Sequence, residues 1–308
     1  MGGVEAAVQA AIKWVTTIVG GLLAALSLIA AYFTAVLIGT ARKRGELVPK
    51  VEAIGLGAVT NFFDTLGIGS FAPTTAYMKL RKMAPDSYFP AILNAGHALP
   101  TVAQALVFIT LVQVDPALLL ACIIASVAGA FVGAPIVQRS PLRLVQGVVG
   151  LALLIGAILF AMKNLNWLPA GGEALTLPTP LFVAAVAAHF IMGVLMMFGI
   201  GLYAPSLIVL SLLGLNPTAA FPIMMGSCAF LMPISSVQFV KSERIDLRIV
   251  LGLALGGIPA VLLAAFVVKS LDLVVVRWLV VVVVLYASAL LLRSALLAPK
   301  AAAQAKPA

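Results

Sequence analysis

Charge is what this chain has least of. Of its 308 residues only 9% are charged and 63% are hydrophobic, whereas a soluble domain carries roughly 25% charged residues. No polar stretch is longer than a loop, so a separate soluble domain is excluded. Acidic side chains are scarcer than basic ones, ten against nineteen. Histidine and cysteine occur twice each. Cys122 and Cys228 lie far apart inside apolar segments, which argues against a disulfide framework. There is no metal-ligand cluster, Walker loop, dinucleotide fingerprint or Ser-His-Asp pattern. An enzyme is therefore not expected, and no cofactor or metal is called for. The N-terminal apolar run, Trp14 to Ile38, has no basic leader and is too long for a signal-peptide core. It reads as a retained span, with Arg42-Lys43-Arg44 as its stop-transfer flank. The net charge of +9 does not point to nucleic acid, because the basic residues cluster at segment ends.

Long apolar runs are what is present. About 20 apolar residues cross a bilayer as a helix. Seven segments qualify, at about 13–41, 89–112, 117–138, 141–162, 218–240, 247–268 and 272–296. Asp115-Pro116, Ser140-Pro141 and Asn216-Pro217 each place a capping side chain before a proline suited to the first helical turn. Asp246 is a further candidate cap. Residues 51–82 and 180–214 do not read as single spans. Each holds an apolar arm, a Gly-Ile-Gly break, and a short helix opened by Pro73 or Pro205. The short pieces, about ten residues or ~15 Å, cover half a bilayer.

The two breaks are copies. Gly67-Ile68-Gly69-Ser70-Phe71-Ala72-Pro73-Thr74 recurs as Gly199-Ile200-Gly201-Leu202-Tyr203-Ala204-Pro205-Ser206, an offset of 132 residues from 67 to 199. Phe89-Pro90 recurs at the same offset as Phe221-Pro222. Fifteen of the nineteen basic residues fall near 42–50, 79–82, 139–143, 241–248 and the C-terminal tail. The positive-inside rule then places the N-terminus outside and the C-terminus in the cytoplasm. With that orientation both breaks become re-entrant hairpins of opposite sense. The expected fold is an all-α polytopic plasma-membrane protein of two inverted repeats, each a hairpin plus three spans. Its parts are an N-terminal helix (1–44), the first repeat (45–165), the second repeat (166–296) and a disordered cytoplasmic tail (297–308). Such repeats, with broken helices meeting at the midplane, are a transporter architecture. Residues 51–67 would reach ~25 Å as a helix, so that arm could also cross the whole membrane.

Irregular backbone at depth is tolerated only against protein or a cavity, so the breaks mark the candidate site. No Lys or Arg lies mid-span. An anion would be held by helix N-termini, exposed amides and hydroxyls. The candidate binding residues are Gly67, Gly69, Gly199 and Gly201 at the tips, and Thr74 and Ser206 as matched hydroxyls. Asn61, Asn94, Ser227 and Ser235 are polar positions on adjoining segments. Thr60, Thr75, Gln104 and Ser236 are weaker candidates, each more often a helix–helix contact than a ligand. Asp64 is the one deep acid, and an ionisable residue there is costly enough to suggest function. Its bland alternative is a carboxylate satisfied by the helix break. His97, one helical turn beyond Asn94, is the second titratable group. Asp64 and His97 are the candidates for proton coupling. His189, in the arm of the second hairpin, reads as structural and nearer the outer surface.

The Gly-Ile-Gly-x-aromatic-Ala-Pro hairpins, the Phe-Pro openings and the basic turn after each third segment resemble the TauE/SafE sulfite-exporter family, also called the toluenesulfonate-uptake permease family. The resemblance spans about residues 50–296. It implies transport of sulfite, organosulfonates or related sulfur oxyanions, in some members coupled to protons. The Gly runs here are leaner than is usual in the family, and Asp64 and His97 depart from its pattern. The expected function is a secondary transporter of a small sulfur oxyanion, with protons and membrane lipid as its other partners. A homodimer is compatible with the sequence. The competing readings are a passive anion channel and a membrane-embedded lipid pyrophosphate phosphatase. The latter chemistry needs several carboxylates or cations around phosphate.

Overall fold

A computed structural model describes residues 2–267, except 68, 142, 145–146, 148–150, 152–153, 156, 159–160, 163 and 168–171, together with scattered residues between 278 and 296. Among the described residues the chain is all-α, with nine α-helices and no strand. They are α1 (Gly2–Arg44), α2 (Val51–Thr65), α3 (Phe71–Arg81), α4 (Phe89–Leu111), α5 (Pro116–Arg139), α6 (Thr179–Met196), α7 (Tyr203–Leu212), α8 (Pro217–Lys241) and α9 (Leu247–Val267). Half of the span expected at 141–162, most of that at 272–296 and the whole tail at 297–308 lie outside the described residues.

Six helices are long and apolar enough to cross a membrane: α1, α4, α5, α6, α8 and α9. Helix α6, the arm of the expected second re-entrant hairpin, is one of them at 18 residues. The α2 arm is 15 residues. Three of the four proposed caps form. Asp115 Oδ1 accepts from the Ala117 amide at 2.9 Å and Asn216 Oδ1 from Thr218 at 2.8 Å. Asp246 Oδ1 accepts from Arg248 and Ile249 at 3.0 and 3.1 Å. The Ser140 hydroxyl donates to the Ile136 carbonyl at 2.8 Å, the local bond that serine commonly makes in a helix, and the helix it was expected to cap lies partly outside the described residues.

The packing exchanges partners between the halves. Helix α2, the arm of the first hairpin, packs along α9, and α6, the arm of the second, packs along α5. Glycine makes both approaches possible. A Cβ on Gly256 would come within 1.9 Å of the Ile54 carbonyl, and one on Gly129 within 2.0 Å of the Phe190 carbonyl. Close backbone contact through small residues is how membrane helices associate without a hydrophobic driving force. Between these pairs α4 packs on α8. The two run antiparallel: Phe108, near the end of α4, stacks on Phe221, near the start of α8, at 5.6 Å.

One end of the bundle gathers three of the basic loops. Arg44 donates to the Lys241 and Ser242 carbonyls at 3.2 and 2.9 Å, and Lys50 pairs with Asp246 at 2.7 Å. Arg81 pairs with Glu52 at 2.7 Å, which also accepts from the Tyr77 hydroxyl at 2.9 Å. Lys79 pairs with Asp86. Elsewhere the Asn216 amide donates to the Ala174 carbonyl at 2.8 Å. The loops near 174 and 216 therefore meet, as expected for two connections on one side.

Candidate functional site

Each hairpin breaks because its glycines take backbone conformations that other residues avoid. Gly67, Gly69 and Gly199 have φ of +85°, +90° and +87°, in the left-handed region that favours glycine. Gly201 does not share it. The two glycines of each tip face different things. Gly67 lies against Phe221 and Met224 of α8, and Gly199 against Pro90 and Leu93 of α4. Each tip therefore abuts the first turns of the long helix of the other half.

Gly69 and Gly201 line a small cavity of about 10 Å³, roughly the space needed for one water. Its wall contains Gly69-Ser70-Phe71 from the first hairpin and Gly201-Leu202-Tyr203 from the second, which are matched triplets of the repeat. Asp64, Thr101, Met196, Cys228 and Met232 complete it.

Asp64 is buried at 2% exposure and well supplied with donors. Gln104 Nε2 donates to Asp64 Oδ2 at 2.9 Å and to Thr65 Oγ1 at 3.0 Å. The Ser70 hydroxyl and amide face the same carboxyl. The Tyr203 hydroxyl donates to Gln104 Oε1, so a polar thread runs from the second hairpin through α4 to the first. Asp64 thus bridges its own hairpin turn and also faces the cavity.

The remaining expected residues surround this centre without lining the cavity. His97 is fully buried. Its Nδ1 lies 3.0 Å from Asn61 Oδ1, and Asn61 Nδ2 donates to the Gly57 carbonyl at 2.8 Å. Asn61 Oδ1 can only accept, so Nδ1 carries the proton and Nε2 accepts the Thr74 hydroxyl at 3.0 Å. Ser206 donates in the same way to His189 Nε2 at 3.0 Å. His189 is therefore buried and engaged with the second hairpin rather than lying near a surface. Asn94 Nδ2 donates to the Pro90 and Met196 carbonyls at 2.9 and 3.2 Å, while its Oδ1 has no partner among the described residues. Ser235 donates to the Met232 carbonyl at 3.2 Å. The Ser227 hydroxyl is buried without a partner among the described residues.

Sequence reasoning did not single out Ser70, Thr101, Tyr203 or the sulfur-bearing side chains of the cavity. One signal was available. Tyr203 stands where the first copy has Phe71, so the repeat gains one hydroxyl at a matched tip position.

These features define a multi-pass helical membrane protein in which a small cavity lies between two broken helices. Residues 181–308 match the family model for sulfite exporter TauE/SafE. Over that stretch the match bears out the resemblance carried by the hairpin motifs, and it supports membrane transport. No curated protein and no solved structure matches the chain.

Proposed function

We propose that this protein is a secondary transporter of a small sulfur oxyanion, an organosulfonate or sulfite, bound where the two hairpin tips meet. The observation that carries the reading is the cavity lined by the matched triplets 69–71 and 201–203. Two copies of one broken-helix motif lining a single space between them match the way many alternating-access carriers build their substrate site. The exchanged packing of α2 with α9 and α6 with α5, about an antiparallel α4–α8 pair, supports halves of opposite orientation. The gathering of basic loops at one end supports a cytoplasmic placement of that end.

At about 10 Å³ the cavity is too small for any sulfur oxyanion, so binding requires the tips to part. The anion would then meet backbone amides and the hydroxyls of Ser70, Thr101 and Tyr203, with no fixed cation to trap it. An anion beside an ionised Asp64 is repelled, and a proton on Asp64 removes that repulsion. Loading of proton and anion is then cooperative, which is the linkage a symporter needs. His97 is the second group able to take this part, through its bond to Thr74.

The test is a binding screen on purified protein with sulfite, sulfoacetate, taurine, sulfate and acetate. The reading expects binding of at least one sulfur anion and none of acetate. Equal binding of acetate would reduce the site to a generic anion site, and no binding at all would remove the proposal.

A further inference from the structure

The cavity is lined by matched segments of the two halves that differ in chemistry. Asp64 and Met196 occupy matched positions, 132 residues apart, near the ends of the two hairpin arms. Both face the same space. The first half contributes a carboxylate, the Ser70 hydroxyl and the Thr101 hydroxyl. The second half answers with the Tyr203 phenol and, together with it, a thioether at 196, a thiol at 228 and a thioether at 232. The Cys228 thiol points to Met196 Sδ at 3.7 Å, so its weak donor is already directed at another sulfur. Cys228 and Met232 lie one turn apart on α8, on the face that closes the cavity.

Resting on the transporter reading, we infer that Met196, Cys228 and Met232 are specificity-determining residues. They form a soft wall that receives the face of the substrate bearing no oxygen. That face is the carbon of an alkanesulfonate or the lone-pair side of sulfite. The physical reason is hydrogen-bond supply. A sulfonate directs its three oxygens to one side and can aim them at amides and hydroxyls. Sulfate is tetrahedral and must turn at least one charged oxygen towards whatever lies opposite. Thioethers donate nothing and a thiol donates weakly. An oxygen pressed against them has lost its water without replacement. Polarizable sulfur packs well against a methyl or methylene group. The discrimination thus arises from rejecting the symmetric anion more than from attracting the asymmetric one.

The experiment measures equilibrium binding of methanesulfonate, propane-1-sulfonate and sulfate to the full chain in detergent. It compares the native protein with Met196→Gln, Cys228→Ser and Met232→Gln. The readout is the ratio of sulfonate to sulfate affinity within one preparation, so a partial loss of folded protein cancels. The native protein is expected to favour methanesulfonate over sulfate by at least about tenfold. Each substitution adds a donor to the wall and should narrow that ratio several-fold, chiefly by improving sulfate. Equal affinity of the native protein for sulfate and methanesulfonate overturns the inference and leaves the anion site standing. A preference that persists unchanged in all three variants overturns the assignment to these residues. Failure of every anion to bind overturns the transporter reading together with the inference.

Discussion

His189 Nε2 lies 3.0 Å from the Ser206 hydroxyl, and His97 Nε2 lies 3.0 Å from the Thr74 hydroxyl. The His189 Nδ1 faces the Ala185 carbonyl at 2.8 Å, an acceptor only. Both imidazoles thus carry hydrogen on Nδ1 and accept on Nε2. The two half-helices are tied down by the same bond. One imidazole comes from the span that follows its hairpin and the other from the hairpin arm itself.

A double-mutant cycle tests that equivalence. His189→Ala with Ser206→Ala, and His97→Ala with Thr74→Ala, should each show a coupling energy of about 1 kcal/mol in unfolding from detergent. Gln at either histidine position can still accept the hydroxyl and should restore part of the loss. Coupling in the first-half pair alone would show that the two latches are not equivalent.

The glycines of each tip should separate by substitution to alanine. Gly67→Ala and Gly199→Ala force a left-handed backbone onto a residue with a Cβ, at a cost of about 1–2 kcal/mol each. Gly201→Ala meets only an ordinary contact, 3.5 Å to Phe71 Cβ, and its backbone needs no left-handed conformation. It should fold normally yet weaken anion binding, because its methyl group enters the cavity wall. Thermal unfolding and binding measured on the same preparations distinguish the two classes. Normal binding by Gly201→Ala would take that glycine out of the site.

Much of this site could be read from the repeat, because matched backbone makes matched sequence. Gly69 and Gly201 were legible as tips, and Thr74 and Ser206 as equivalent hydroxyls. The partners of those hydroxyls were not. Stepping 132 residues from His97 lands on Ala229, which suggests an asymmetric pair, whereas the equivalent imidazole, His189, comes from a different element of its repeat. A linear offset follows backbone equivalence and does not reveal which unmatched side chain fills the same volume. The sulfur side of the cavity was missed for a related reason. Met196 in an apolar helix looks like core until Asp64 appears opposite it.

At the basic end of the bundle, the hydrogen bonds from Arg81 and Tyr77 hold the Glu52 carboxyl below its usual range. A lowered folded-state value means stabilisation that is fully present above the unfolded value, near 4.5. It is lost as pH falls through the folded value. Glu52 is exposed, so the effect is small. Native protein and Glu52→Gln should differ slightly in melting temperature at pH 7, with Glu52→Gln the lower, and converge as the pH falls through the folded value. A difference that grows on acidification would contradict the assignment.

Labelling tests the opposed hairpins. Cys122 and Cys228 are buried, so the background from native thiols is low. Arg81→Cys should react with an impermeant maleimide from the cytoplasmic side and Asn216→Cys from the outside. Reaction of both from one side would remove the inverted arrangement, and the shared midplane site with it.

Coupled transport through the site that Asp64 faces can be measured as flux in proteoliposomes. Labelled sulfoacetate or sulfite should be concentrated by native protein when a pH gradient is imposed. With equal pH on both sides, the label should still exchange against unlabelled anion. Asp64→Asn should lose the accumulation and keep the exchange. Flux that never exceeds equilibration, is indifferent to the pH gradient and is identical in Asp64→Asn would contradict the account and describe a passive pathway instead.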